Sequence, residues 1–334
     1  MASGSGLGFD MMLFSHKILM PAAVSDNRRV DLRREAEHCI VLGSPCMEPA
    51  TAVPNPLDHA EIVELSGADA PAFAQSQFSS NVSALDQGNW QWSAWLDAQG
   101  RVRYLFALLH ARPGQFIAWL PRGFAAGMAG ELARFVFRAK VAIRVIEDLD
   151  LFEAEAEEVV VAPGKLAACG NGWAFELPGI ARRVAVLAPG RADCTADPAR
   201  KQRWQIADID AGLPWIASAT AGEFTPQALG LDRLGAVSLG KGCYPGQEVV
   251  ARLHYRGGNK RGCFKIGIEG HEAPAPGTRI VSRQSEAPVG TVLHAAPADA
   301  HHCLALAVLP ADSQPGDPLR LESMARVEVK QGMQ

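Results

Sequence analysis

Residues 224–261 read FTPQALGLDRLGAVSLGKGCYPGQEVVARLHYRGGNKR, and the eight letters KGCYPGQE at 241–248 are the densest in residues with special backbone or chemical roles. Glycines at 240 and 242 let a backbone bend and approach a ligand closely. Pro245-Gly246 has the residue order of a type II turn. Gln247 and Glu248 then leave that turn and begin an extended run, Val249–Leu253. Lys241, two residues from Cys243, favours the thiol's anion if both side chains face one cleft. Tyr244 offers an aromatic face on which a flat ring can stack. Downstream, Arg252, Arg256, Lys260 and Arg261 read as a basic strand and loop suited to carboxylates or phosphates, hinged at Gly257-Gly258.

A phosphate-loop pattern overlaps the same stretch. Gly235–Lys241 spells G-x-x-x-x-G-K, but Gly242 stands where such a loop needs Ser or Thr to hold magnesium. Pro245 and Gly246 would also interrupt the helix whose N-terminus receives the phosphates. Nucleotide hydrolysis is therefore disfavoured.

Outward from this stretch the chain alternates strands and helices. His59–Leu65 reads as a strand, and Pro71 opens a helix carrying Phe73, Ala74 and Phe78. Trp90, Trp92 and Trp95 lie in an alternating run that turns at Asp97–Gly100 and returns as Val102–Leu109, a hairpin. Strand character recurs at Phe116–Leu120, Val141–Ile146, Val159–Ala162, Ala174–Leu177 and Val184–Leu187, with helices expected at Ala125–Phe137 and Ala199–Asp208. Beyond Asn259 the pattern becomes short apolar runs split by Pro and Gly turns, the grammar of a small antiparallel barrel. A chain of 334 residues exceeds one ordinary core and implies two or three packed units.

Composition narrows the function classes. The chain is 48% hydrophobic and 20% charged with a formal net charge of −4, so a dedicated nucleic-acid binder is disfavoured. No apolar window reaches the roughly eighteen residues of a membrane span. Seven cysteines, an odd and scattered set, read as reduced thiols in a cytosol-like compartment. They show no C-x-x-C spacing, so no stably bound metal or cluster is expected. His301-His302-Cys303 sits beside a barrel strand, where alternation sends neighbouring side chains apart and leaves plain surface histidines. At Met1–Arg34 a secretory signal fits poorly, because His16, Lys17 and Pro21 break its apolar part, and a mitochondrial presequence is weakened by Asp10, Asp26 and Asp31.

KGCYPGQE closely resembles the KGCYxGQE signature of the YgfZ family of folate-binding proteins, relatives of aminomethyltransferase. The likeness continues through residues 224–261, and more weakly through residues 65–109, LSGADAPAFAQSQFSSNVSALDQGNWQWSAWLDAQGRVRYLFALL. The resemblance implies an α+β, ring-like, three-domain architecture with two mixed α/β domains and a C-terminal antiparallel β-barrel. The expected boundaries are an extension at 1–57, a first domain at 58–150 holding a folate cavity, a second at 151–261 and the barrel at 262–334. It implies a tetrahydrofolate-binding accessory protein for assembly or repair of iron-sulfur clusters in client enzymes, acting on tRNA modification indirectly and without direct nucleic-acid contact. Cys243 is the implied functional residue, with Lys241 beside it. Tyr244, Gly246, Gln247, Glu248, Arg252, Arg256 and Lys260 form the expected folate lining, completed by Asn81 and Tyr104. The expected partners are folate and transient iron-sulfur clients, for a cytoplasmic monomer, or a mitochondrial matrix one in a eukaryote.

Two enzymatic alternatives stay open. Aminomethyltransferase carries a paired-aspartate run where this chain has Gly100-Arg101-Val102-Arg103-Tyr104-Leu105, so the carboxylate that handles the amine is absent from that strand. A cysteine nucleophile would need a base, and His254 is the nearest histidine in sequence.

Overall fold

The computed structural model describes residues 55–154, 159–169, 171–179, 182–187 and 195–333. The N-terminal stretch 1–54 and Cys39, Cys46 and Cys194 lie outside the described residues.

The tryptophan-rich hairpin organises the first sheet. Strands β1 (Asn55–Pro56), β2 (Glu61–Ser66), β3 (Trp90–Leu96), β4 (Val102–Arg112), β5 (Gln115–Leu120) and β6 (Ala142–Ile146) succeed one another in chain order. Five of them form an antiparallel sheet in the order β3-β4-β5-β2-β6. Alternation along β3 sends Trp90, Trp92, Ala94 and Leu96 to one face and Trp95 to the other. Helices α1 (Ala70–Gln77) and α2 (Ala125–Ala133) cover the Trp95 face, burying Phe73, Met128 and Leu132 against Val63, Phe106 and Leu108.

Helix α2 stops at Ala133 rather than at Phe137. The amides of Arg134, Phe135 and Val136 bond three residues back, to Glu131, Leu132 and Ala133, a tightened last turn. Phe135 then turns back to meet the Trp95 ring edge-on at 5.8 Å.

The second sheet has the order β1-β7-β10-β9-β8, using β7 (Asp150–Ala154), β8 (Ala167–Cys169), β9 (Gly172–Leu177) and β10 (Arg182–Leu187). The strand expected at Val159–Ala162 does not form. Val160 is 88% exposed there, and the Lys165 amide bonds back to Ala162 across the Pro163-Gly164 turn, so no sheet neighbour covers it. Helix α3 (Pro198–Asp210) begins at Asp197, whose carboxylate accepts the Ala199 N–H at 2.8 Å.

The C-terminal runs form a closed antiparallel barrel, β11-β14-β13-β12-β15-β16, from Arg261–Glu269, Arg279–Ser282, Pro288–Pro297, His302–Pro310, Leu319–Leu321 and Arg326–Gly332 in chain order. One continuous core joins the units. Trp92, Trp119 and Trp215 meet with ring centroids 5.5 and 6.1 Å apart, packed with Phe175 and Val184 of the second sheet, Trp204 of α3 and Leu293 and Leu306 of the barrel.

Candidate functional site at the signature loop

A tight turn, a capped helix and a strip of hydrogen bonds hold the 240–248 loop in place. The Gln247 N–H bonds to the Tyr244 carbonyl at 3.2 Å and Gly246 has φ 75° and ψ 0°, which is the expected type II turn. The chain leaves this turn as a helix, α4 (Gln247–Arg256), which corrects the extended run read from Val249–Leu253. The β-branched pair Val249-Val250 favours a strand locally. Gly246 ends the turn as an N-cap, and Glu248 in the first turn and Arg256 in the last match the helix dipole. Gln227 also donates to the Val250 carbonyl at 3.1 Å.

The loop docks on the free edge of β3. Residues 78–80 run beside that strand: the Ser79 N–H bonds to the Ala94 carbonyl at 2.9 Å, and the Ser80 hydroxyl to the Ser93 hydroxyl at 2.7 Å. The segment leading into the signature then lies along them, through Ser238 N–H to the Ser79 carbonyl (2.8 Å) and the Ser79 hydroxyl to the Ala236 carbonyl (2.7 Å). Lys241 completes the attachment by donating to the carbonyls of Phe78 and, at 2.7 Å, Ser80. Asn81, the next residue, accepts from Gln75 at 3.2 Å and caps a short turn at Val82–Ala84.

This geometry separates residues that adjacency had grouped. Lys241 is buried and points at backbone carbonyls, with its ammonium 5.2 Å from the centre of the Tyr244 ring. Burial pulls its pKa down to about 8. Cys243 is exposed. Lys241 therefore acts as the bolt that fixes the loop, and the pairing of ammonium with thiol in one cleft is not what its hydrogen bonds describe. Tyr244 is 6% exposed, its hydroxyl is buried without a partner among the described residues, and burial followed by Asp232 pushes its pKa up to about 12. Its ring is packed rather than open for stacking.

Gly246 is the tightest of the three glycines in the loop. A Cβ placed there would lie 2.5 Å from the Asp97 carbonyl oxygen and 2.5 Å from Gly100 Cα, so the β3–β4 turn and the start of α4 interlock backbone to backbone. Gln247 is half-buried, while Glu248, Arg252, Arg256 and Lys260 are exposed or partly so. His254 is also exposed and stands edge-on to Tyr255 in the last part of α4.

Beside this interlock lies an open cleft of about 930 Å³, bordered by Asp97 and Arg101 of the hairpin, Glu223 and Thr225, and Lys260 and Arg261 after α4. Of the basic residues singled out in the sequence, Lys260 and Arg261 border it, while Arg252 and Arg256 do not. Tyr104 lies elsewhere, on the helix-covered face of the first sheet. It stacks on Trp95 at 5.8 Å and donates to Glu131 at 3.2 Å, and burial followed by the Glu131 charge raises its pKa to about 12. Arg103 donates to the same Glu131 oxygen at 2.7 Å. Glu131 was not legible as a site residue: it sits on α2, and only tertiary packing sets its carboxylate against the strand whose own acids are missing.

Cys303 is buried inside the barrel, whereas His302 is exposed and contacts Asp299 at 3.2 Å, as alternation predicts. Among the described residues no group of three or more His, Cys, Asp or Glu is placed to hold a metal, and no helix is long and apolar enough to cross a membrane.

Two antiparallel sheets, their helices and a terminal closed barrel define an aminomethyltransferase-type fold. The crystal structure of the glycine cleavage system aminomethyltransferase T from Bartonella henselae superposes with a TM-score of 0.64 over 84% of this chain and 85% of that one. At 14% identity that likeness is one of fold. Sequence takes the assignment further. The chain is 30% identical over 292 residues to the tRNA-modifying protein YgfZ of Klebsiella pneumoniae (strain 342), covering 80% of this chain and 88% of that protein. It is 30% identical over 296 residues to the protein of the same name from Shigella dysenteriae serotype 1 (strain Sd197), covering 80% and 89%. The chain belongs to the YgfZ family. No family model matches it.

Proposed function

We propose that this protein binds a reduced folate in the cleft beside the signature loop and serves, through Cys243, as an accessory factor in assembling or repairing iron-sulfur clusters of client enzymes. The observation that carries the reading is the exposed Cys243 on a loop fixed from both sides, by the Lys241 bonds to the first sheet and by the Gly246–Gly100 interlock. A thiol held this way can meet a partner protein without moving the fold.

The cleft suits the other half. A folate carries an anionic glutamate tail, and Arg101, Lys260 and Arg261 place cationic side chains around an opening of about 930 Å³. Phe224 adds apolar surface for the aromatic part. Folate, when bound, supplies one-carbon chemistry; these side chains bind and orient it. Cys243 would give one thiolate to an iron in transit within a complex with the client. Relatives named tRNA-modifying proteins fit an effect on tRNA that passes through such a client.

One observation favours a second reading, folate-dependent one-carbon transfer: Glu131 restores a carboxylate beside Arg103 and Tyr104. Turnover of an aminomethyl-carrier substrate with tetrahydrofolate, abolished in Glu131→Gln, would establish it.

The primary reading is tested by titrating tetrahydrofolate into the wild type, Cys243→Ala and Lys260→Ala in a calorimeter, alongside restoration of a client enzyme. Binding by the wild type, retained in Cys243→Ala and weakened in Lys260→Ala, is expected, with client activity lost in Cys243→Ala. No heat from the wild type at millimolar ligand removes the folate half. Full client activity with Cys243→Ala removes the cysteine half.

A further inference from the structure

Where the first sheet, α3 and the barrel meet, not every buried polar group is paired among the described residues. Asp208 is buried and both its oxygens are engaged, one by Arg182 Nη1 at 2.5 Å and the other by Trp215 Nε1 at 2.8 Å. A second guanidinium, Arg122, lies just past the end of β5 and feels the Asp208 charge without bonding to it. Arg122 Nε and Nη2 are sealed from solvent and have no hydrogen-bond partner among the described residues. Two guanidiniums thus lie near one carboxylate, whose hydrogen bonds go to Arg182 and Trp215 and not to Arg122.

The identity of the two unpartnered nitrogens is informative. Nε–H and Nη2–H lie on one edge of the guanidinium and point the same way, the pair that meets both oxygens of a carboxylate side-on. A guanidinium keeps its proton in proteins, so this edge is a buried pair of charged donors with no acceptor among the described residues.

The other groups facing Arg122 are neutral or directed elsewhere. The Arg122 charge, after burial itself, lowers the pKa of His59, which lies before β2 against Asp58, and of His294 on the third barrel strand. Asp58 is exposed and also pairs with Lys201. His294 is 3% exposed, and burial followed by Arg122 brings its pKa to about 3, so it is neutral. Its Nε2–H donates to the Leu213 carbonyl at 2.8 Å, which leaves Nδ1 an acceptor, buried and unpartnered among the described residues. Trp119 Nε1, on a ring 6.1 Å from that of Trp215, is likewise buried and unpartnered.

We propose that this junction is a binding site for one carboxylate group, held side-on by Arg122 Nε and Nη2. The inference stands apart from the folate reading, since it rests on two sealed donors inside the core. Two sources share the chemistry. A small free dicarboxylate could enter alone, or a folate could supply a glutamate carboxylate, because Thr291 of the same barrel strand borders the open cleft, three residues and roughly 10 Å from His294.

The test uses the full chain as wild type, Arg122→Met and Arg122→Lys, with glutarate and tetrahydrofolate as probes, read by thermal denaturation and calorimetry at matched ionic strength. With no probe, Arg122→Met is expected to unfold at or above the wild-type temperature, because it removes two sealed donors that have no acceptor among the described residues. Arg122→Lys keeps the charge but lacks the side-on pair, so it should bind the effective probe about ten-fold more weakly or worse. If glutarate stabilises the wild type and neither variant, the site takes a free carboxylate. If tetrahydrofolate alone does so, and its glutamate-amidated analogue does not, the carboxylate is folate's. Equal responses of wild type and Arg122→Lys to both probes overturn the proposal, whether or not Arg122→Met folds. A wild type that binds glutarate at Arg122 but no tetrahydrofolate sinks the folate reading and leaves this one standing.

Discussion

Replacing Gly246 by alanine probes the interlock on which the signature loop depends. Two costs add. Gly246 has φ 75°, where an alanine pays about 1–2 kcal/mol for the left-handed backbone. The new Cβ would also stand 2.5 Å from both the Asp97 oxygen and Gly100 Cα and 2.7 Å from the Gly100 nitrogen, all backbone atoms that cannot swing aside. Overpacking of that kind costs about 1–3 kcal/mol, so the sum is about 2–5 kcal/mol. At about 2–4 °C per kcal/mol for a body of this size, the melting temperature should fall by roughly 4–20 °C. Two controls separate the terms in the same calorimetric scan. Gly257 has φ 68° and ψ −161°, a region essentially restricted to glycine, with nothing near its added Cβ, so alanine there bounds the backbone cost from above, at about 1–3 kcal/mol without overpacking. Gly242 has open space and no positive φ, so Gly242→Ala should stay within about 0.5 kcal/mol of wild type or gain slightly. If Gly246→Ala melts within about 2 °C of Gly242→Ala, the two backbones do not interlock and the rigid placement of Cys243 loses its basis.

Asp208→Asn should cost about 3–5 kcal/mol in denaturant unfolding, since it strips the partner from buried Arg182; a loss under about 1 kcal/mol would show that the pair is solvated. Brief alkylation followed by peptide mapping should label exposed Cys243 ahead of half-buried Cys169, while Cys263, buried and with its pKa raised to about 12, reacts only on unfolding. Early labelling of Cys263 would mean the core opens there. Lys241 sheds its proton near pH 8 when folded and near its ordinary 10.5 when unfolded. Between those values the unfolded chain binds more protons, so the wild type should gain stability relative to Lys241→Met as pH rises from about 8 toward 10. A flat or falling difference would contradict the buried position of the ammonium.

The alternation of Trp90, Trp92, Ala94 and Leu96 determined β3 and its inward face, because a pleated strand has a period of two whatever surrounds it. The same holds for the barrel strands, cut to length by Pro and Gly turns, and for the type II turn, where proline fixes one dihedral and glycine alone accepts the next. The KGCYPGQE letters likewise carried the family. Tertiary packing settled the rest. Val249-Val250 reads as a strand by local preference, yet the chain leaves Gly246 into a helix whose Val250 is buried in the central core. Lys241 sits two residues from Cys243 and serves a different purpose, because its ammonium finds two carbonyls on a segment about 160 residues earlier. Glu131 beside Tyr104, and His294 on the Leu213 carbonyl, are also pairings across distant elements. Local letters fix dihedral preference and periodicity; which polar groups end up sharing a buried space depends on how the sheets, α3 and the barrel close on one another.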